Sequence, residues 1–321
     1  MISLDIMIID IRWKEKIFLS HYFINMRKKM KTRILKIKSE VPIVVAGDVH
    51  GCLAQLKKIY IRVKNKKKQL FLVGDLIDRG PDSIGVIDFV RKNNIKTVLG
   101  NHEKMFLEYK ERVDIIIKDH HKRIRVVEDK LEEHLIKDSL KLSLMSLLED
   151  SNWFYNGGRE VFLEYMKKND DFKTYQDDLN FISSLPYFIV VKVKGVKTKV
   201  LISHTLAYNE YKALKLLEGD ESFKSKSLEE GILWQRNHHK RIKQNKTKFF
   251  NIFGHTPVDV YDSKVYSRIQ GDIVPMPVVS TEQVHRIANV DTGCAYKGKR
   301  ARGFLSAISF PCLETYQEEN K

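Results

Sequence analysis

Gly74-Asp75-Leu76-Ile77-Asp78-Arg79-Gly80 follows the apolar run Leu70-Phe71-Leu72-Val73, and this pairing of a buried strand with a ligand-rich glycine turn decides the fold. The same construction lies on both sides of it. Ile43 to Ala46 runs into Gly47-Asp48-Val49-His50-Gly51, and the shorter Thr97 to Leu99 runs into Gly100-Asn101-His102-Glu103. Two later apolar runs end in a histidine turn. Val200 to Ile202 precedes Ser203-His204-Thr205, and Phe249 to Phe253 precedes Gly254-His255-Thr256. Carboxylate, imidazole and amide groups at the ends of parallel strands suit a site for two divalent cations.

The turns divide the chemistry among themselves. A phosphoryl-transfer site must hold a nucleophilic water, polarise phosphorus, absorb equatorial charge and protonate the leaving oxygen, and a metal pair about 3.5–4 Å apart supplies the first three. Asp75 sits between the other turns and is the natural bridge. Asp48 and His50 can chelate the first metal. Asn101, His204 and His255 can complete the second, and their neutrality keeps that cation electrophilic. His102 follows a metal-binding Asn, so its ring projects toward the leaving group. Asp78 can fix its tautomer and keep it protonated as a general acid. Arg79 can fork onto two phosphoryl oxygens, with Arg236 in Leu233-Trp234-Gln235-Arg236 as a second clamp. Glu103 reads as support for the turns and not as a ligand.

From Val41 onward strands and helices alternate in a βαβ manner, as one large α/β domain of a 321-residue chain or as two small ones. Helices are expected over Leu53 to Lys66, Asp82 to Asn93, Glu160 to Met166 and Asp177 to Ser184. Tyr187 to Lys194 and Lys199 to Ile202 read as a hairpin, and Phe249 to Phe253, Val284 to Val290 and Phe304 to Phe310 as strands. Residues 104–150 carry apolar positions at helical spacing and read as a helical insertion over the core. His120 and His121 within it read as solvated, and Asn209 to Ser227 as a mobile polar stretch.

Residues 1–40 stand apart as a basic N-terminal extension, with ten Lys or Arg against four Asp or Glu. It is either an amphipathic partner-binding arm or a stretch upstream of a true start at Met26 or Met30. Residues 41–312 form the catalytic domain, and 313–321 a polar C-terminal tail. The net charge is +16. That suits acidic partners, nucleic acid included, but the lysines are spread without one block, and a lysine-rich surface accounts for them equally. Cys52, Cys294 and Cys312 show no paired spacing, which fits a reducing cytoplasm. Cys52 reads as a small packed residue beside the first metal turn. No apolar run is long enough for a transmembrane helix, and the N-terminus lacks the order of a signal peptide.

Taken in order, these motifs resemble the PPP-type metallophosphatases of the calcineurin-like phosphoesterase superfamily, nearest to the bacterial branch that includes the bacteriophage lambda protein phosphatase. The resemblance runs from about Val41 to Phe310 and also takes in Trp153 to Gly158, Leu185-Pro186 and Asn289-Val290-Asp291-Thr292-Gly293. It implies a four-layer β-sandwich of two mixed sheets flanked by helices. It implies a dinuclear centre, often Mn2+, with Fe or Zn as alternatives, and direct hydrolysis by a metal-bound hydroxide without a phosphoenzyme. Carried over residue by residue, it assigns Asp48, His50 and Asp75 to one metal, and Asp75, Asn101, His204 and His255 to the other. It makes His102 the acid with Asp78 behind it, and puts Arg79 and Arg236 on the phosphate. The chain departs from eukaryotic members at Thr205-Leu206, where they carry two glycines. Tyr296 falls in a loop near their substrate mouth.

The expected function is hydrolysis of phosphate monoesters, foremost phosphoserine and phosphothreonine in proteins. The alternative is a dinucleoside polyphosphate hydrolase on the same core. Symmetric hydrolases of that kind carry Gly-His-Trp in the last turn, whereas this chain has Gly254-His255-Thr256. A third reading is a basic RNA- or membrane-associated module.

Overall fold

The computed structural model describes residues 34–110, 113–114, seven positions between 138 and 149, and residues 151–168, 172–206, 231–236, 249–258, 278–280, 286–298 and 301–320. The expectations for residues 1–33, for most of the 104–150 insertion with His120 and His121, and for Asn209 to Ser227 fall outside them.

Two mixed sheets pack face to face. The first contains β1 (Ile34–Ser39), β5 (Phe188–Val193), β6 (Lys199–Ser203), β7 (Phe249–Phe253), β8 (Val278–Ser280) and β9 (Ile287–Asn289), in the order β1-β5-β6-β7-β9-β8. The second contains β2 (Ile43–Ala46), β3 (Gln69–Leu72), β4 (Lys96–Thr97), β12 (Phe304–Phe310) and β13 (Thr315–Glu319), in the order β13-β12-β2-β3-β4. A small hairpin of β10 (Lys297–Gly298) and β11 (Ala301–Arg302) stands apart. In the second sheet β2, β3 and β4 are parallel, and β12 joins them antiparallel to β2.

The pleat explains why the sheet interiors read as unbroken apolar runs. Ile43, Val45 and Phe71 point into a core between the sheets, where they meet Ile189, Val191, Ile202 and Ile252. Their neighbours Val44, Ala46, Leu70 and Leu72 point the other way, into a second core under the helices. That core is closed by α1 (Leu53–Asn65), α2 (Ser83–Lys92), α3 (Asn101–Glu108), α4 (Arg159–Met166) and α5 (Lys173–Ser183). Asp82 caps α2, accepting a hydrogen bond from the Gly85 N–H at 2.8 Å. On the outer face of the first sheet, Phe188, Val190 and Leu201 pack with Ile232.

Two boundaries move outward from their expected places. Residues 34–39 were grouped with the basic extension, yet they form β1, parallel to β5, with Leu35 and Ile37 against the inter-sheet core. Residues 315–319 were grouped with the polar tail, yet they form β13, whose Tyr316 is fully buried under Arg62, Lys66 and Lys68. Both are edge strands that pair on one side only, so polar residues mask their apolar positions. Cys52 and Cys294 are buried and Cys312 is exposed, and no disulfide joins any of the three. Among the described residues no helix is long and apolar enough to cross a membrane.

Candidate metal centre and acid–base pair

The five ligand turns converge at one end of the two sheets. Their backbones are bent unusually to do so. Of the nine non-glycine residues with positive φ among the described residues, five are His50, Asp75, Asp78, Arg79 and His255, at 45°, 48°, 73°, 67° and 73°. A left-handed residue that is not glycine costs about 1–2 kcal/mol, and such costs gather where side chains must be aimed. Glycine is required where the turns touch. A Cβ on Gly80 would overlap the His50 carbonyl oxygen, and one on Gly100 would overlap Asp75 Oδ1.

Two clusters of buried side chains share Asp75. His50, Asp75 and His102 bring ligand atoms within 4.8 Å of one another, and so do Asp75, His204 and His255. Backbone carbonyls set the imidazoles. His50 donates its Nδ1–H to Ile77 O at 2.8 Å, and His204 donates its Nδ1–H to Val73 O at 2.9 Å. Each Nε2 therefore carries a lone pair toward the centre, the arrangement metal-binding histidines use. His204 Nε2 faces Asn101 Oδ1 at 2.8 Å and His255 Nδ1 at 3.1 Å. A lone pair on Nε2 against a carbonyl-type oxygen calls for a cation between them, so the donor set fits a divalent metal. Burial pushes His204 down to about 4, which keeps it neutral. Burial likewise pushes Asp75 up to about 7 and Asp48 well above the carboxylate range, where Asp291 and Asp75 add repulsion. A bound cation would relieve that cost.

Asp48 stands outside both clusters. Its carboxylate accepts the His255 backbone N–H with both oxygens at 3.1 Å. Arg79 donates from Nη1 to His50 Nε2 at 2.8 Å. Arg236 is exposed, and its charge reaches Asp75 and His204 through space. Its segment is tied to the His204 turn by Thr205, whose hydroxyl donates to Ile232 O at 2.7 Å.

His102 of the first cluster also belongs to a buried proton-sharing pair. His102 Nδ1 meets Asp78 Oδ2 at 2.6 Å, and His102 Nε2 lies 3.9 Å from Asp75 Oδ2. Burial lowers the His102 proton affinity well below its usual range, with His50 and Arg79 adding to it, while burial raises Asp78 well above its own. The two affinities are thereby drawn together.

Three supporting residues had no assigned part in the sequence reading. Trp153 donates its indole N–H to Asp78 at 3.0 and 3.1 Å, opposing the rise in that carboxyl. Ser83 Oγ accepts the Asp78 backbone N–H at 3.1 Å. Asp291 lines the cleft at the mouth, beside His50, Arg79 and Tyr296. The sequence signals that pointed there are Trp153 ahead of Gly157-Gly158 and Asp291 within Asn289-Val290-Asp291-Thr292-Gly293. Glu103 behaves as expected of a support. Its Oε2 accepts from Asp75 N and Gly100 N, both at 2.9 Å, and its Oε1 from Leu76 N at 2.7 Å.

Comparison with known proteins agrees with this centre. The family model described as calcineurin-like phosphoesterase matches residues 41–274 of the chain. The chain belongs to the calcineurin-like phosphoesterase family, whose members use a dinuclear divalent metal centre. Over 63 residues it is 48% identical to a symmetrical bis(5'-nucleosyl)-tetraphosphatase of Pectobacterium atrosepticum, covering 18% of this chain and 22% of that one. Over 66 residues it is 46% identical to serine/threonine-protein phosphatase 1 of Salmonella typhimurium, covering 20% and 31%. These matches thus span about a fifth to a third of the curated relatives' lengths. A crystal structure provisionally called a diadenosine tetraphosphatase superposes with a TM-score of 0.50 at 17% identity, covering 90% of this chain and 99% of the other, which is a likeness of fold.

Proposed function

We propose that this chain is a metal-dependent phosphatase that hydrolyses phosphate monoesters, with phosphoserine and phosphothreonine in proteins as the first substrate class. The observation that carries the reading is Asp75 shared by two buried clusters, with His102 of the first of them paired to Asp78. Asp48, His50 and Asp75 would hold one divalent cation, and Asp75, Asn101, His204 and His255 the other, with Mn2+ the expected ion and Fe or Zn as alternatives. When bound, the cations supply Lewis acidity to the phosphoryl group and to the attacking water.

The chain's own residues do the rest. Arg79, which would give up its bond to His50 Nε2 when that nitrogen takes the cation, presents its guanidinium to the phosphoryl oxygens, and Arg236 is the second clamp. Water attacks phosphorus, the bond from phosphorus to the leaving oxygen breaks, and that oxygen takes a proton from His102 Nε2. Asp78 holds the Nδ1–H throughout and steadies the ring as charge changes on it. Trp153 keeps Asp78 from turning away.

A second reading, hydrolysis of dinucleoside polyphosphates, draws support from the Pectobacterium relative. Against its symmetric form stands Thr256 after His255, where such hydrolases carry Trp. Manganese-dependent turnover of p-nitrophenyl phosphate, a phosphothreonine peptide and diadenosine tetraphosphate, measured side by side, tests both. Turnover of the peptide with little on the dinucleotide supports the first reading. The reverse replaces it with the second, and no turnover of any of the three overturns both.

A further inference from the structure

We propose that the groove beside Arg79 receives the leaving-group side of the substrate, and that Glu160 on its wall selects phosphopeptides with a basic residue near the phosphorylated one. The inference rests on the phosphatase reading above and names its substrate class more narrowly.

Arg79 and Ala295 line two adjoining spaces. One is the narrow cleft at the metal clusters, closed by His50 and Tyr296. The other is a groove of about 530 Å3 running along α4 past Glu160, Leu163, Glu164 and Lys167. Its size lies within the range of roughly 300–1,000 Å3 that buries a drug-sized ligand or a short stretch of peptide. A phosphoryl group bound at Arg79 therefore has room for its attached group on that side.

The charges in the groove are not equivalent. Arg79 meets His50 at 2.8 Å and is the residue the phosphatase reading gives to the phosphoryl group. Glu164 is occupied by the start of α2, its oxygens accepting from Ser83 N at 3.2 Å and Ile84 N at 3.1 Å. Lys167 lies close enough to Glu164 to pull its carboxyl down against burial. Glu160 is exposed one turn earlier on the same helix and has no ion-pair partner among the described residues. It is the charge left to meet a ligand. Among the described residues no aromatic side chain lines the groove for a base to stack on, and a nucleotide leaving group would bring further phosphates against Glu160 and Glu164. A peptide with Arg or Lys beside the phosphoresidue meets neither objection.

The test uses the full chain loaded with manganese and three phosphothreonine peptides differing only in flanking Arg, Ala or Glu. The wild type should turn over the Arg peptide with a KM about five-fold below that of the Glu peptide, the size expected of one exposed ion pair, and the ratio should shrink in high salt. Glu160→Lys should invert the order, while Glu40→Lys, a swap of the same sign far from the groove, should keep it. An Arg preference that survives Glu160→Lys, or no preference in the wild type, overturns the proposal. So does turnover of diadenosine tetraphosphate that improves in Glu160→Lys, which would give the groove to a nucleotide. Turnover of p-nitrophenyl phosphate without any peptide turnover sinks this inference and leaves the metal-dependent phosphatase standing. No turnover even of p-nitrophenyl phosphate removes that reading too.

Discussion

The Glu103 carboxylate accepts the backbone N–H of Asp75 at 2.9 Å, so a residue from the third ligand turn holds the central residue of the second. The same carboxylate holds Gly100 and Leu76, which fixes the two turns relative to each other. Glu103→Gln would turn an amide N–H toward backbone N–H groups that need an acceptor. We expect metal affinity to fall roughly 10–100-fold, as for other supporting partners of ligands, although Glu103 is not itself a ligand. Metal titration followed by calorimetry reads this directly, and unchanged affinity would remove Glu103 from the centre.

Asp75 is common to both clusters, whereas every other member belongs to one. Asp75→Asn should therefore lose both metals together and turnover with them. Elemental analysis of the purified variant decides it, and a variant that keeps one metal in full would show the bridge to be wrongly assigned.

The 2.6 Å contact between His102 and Asp78 predicts a different signature. His102→Asn should lower turnover by roughly 10²–10⁴, as expected for a lost general acid, while metal content stays near that of the wild type. Asp78→Asn should follow it in direction. Substrates with better leaving groups need less protonation, so the loss should be smaller for p-nitrophenyl phosphate than for a phosphothreonine peptide. Equal losses on both would argue against proton donation.

The parts of the site legible in sequence are those made by local spacing. Strands β2, β3 and β12 are buried on both faces, which leaves continuous apolar runs, and the turns after β2 and β3 carry their ligands within a few residues. What stayed hidden comes from distant backbone. Asp48 reads as a partner of His50 by spacing, yet its carboxylate accepts from His255 N, 207 positions away. The carbonyls of Ile77 and Val73 that set the histidine tautomers belong to apolar residues whose side chains give no hint of the role. Trp153 reaches Asp78 across 75 positions. Strands β1 and β13 were missed because an edge strand keeps only part of its pattern apolar.

Thr205 stands where eukaryotic relatives are expected to carry glycine, and its hydroxyl ties the His204 turn to the segment bearing Arg236. Thr205→Val keeps the volume and removes the donor, at about 1 kcal/mol for a buried hydrogen bond. The KM for a phosphate ester should rise about five-fold, with kcat and metal content little changed, and Thr205→Ser should restore it. In an Arg236→Ala background the same substitution should add almost nothing. Additive effects would separate Thr205 from Arg236.

Between α4 and α5 a buried carboxyl sets a pH dependence of stability away from the metal centre. Asp178 is fully buried, accepts the Tyr165 O–H at 2.9 Å and lies 3.4 Å from Arg91. Burial outweighs both partners and pushes its carboxyl up to about 6, from an ordinary 3.8. A folded-state value above the unfolded one gives stability that is complete below about pH 4 and is lost as pH rises through about 6. Asp178→Asn cannot ionise and escapes that loss. The difference in melting temperature between Asp178→Asn and wild type should therefore shift in favour of the variant from pH 4 to pH 7, whatever its value at pH 4. Tyr165→Phe removes the donor and should destabilise at every pH, by about 1–3 kcal/mol for a buried acceptor left unmet. A melting difference for Asp178→Asn that stays constant across this range would show that the carboxyl titrates elsewhere.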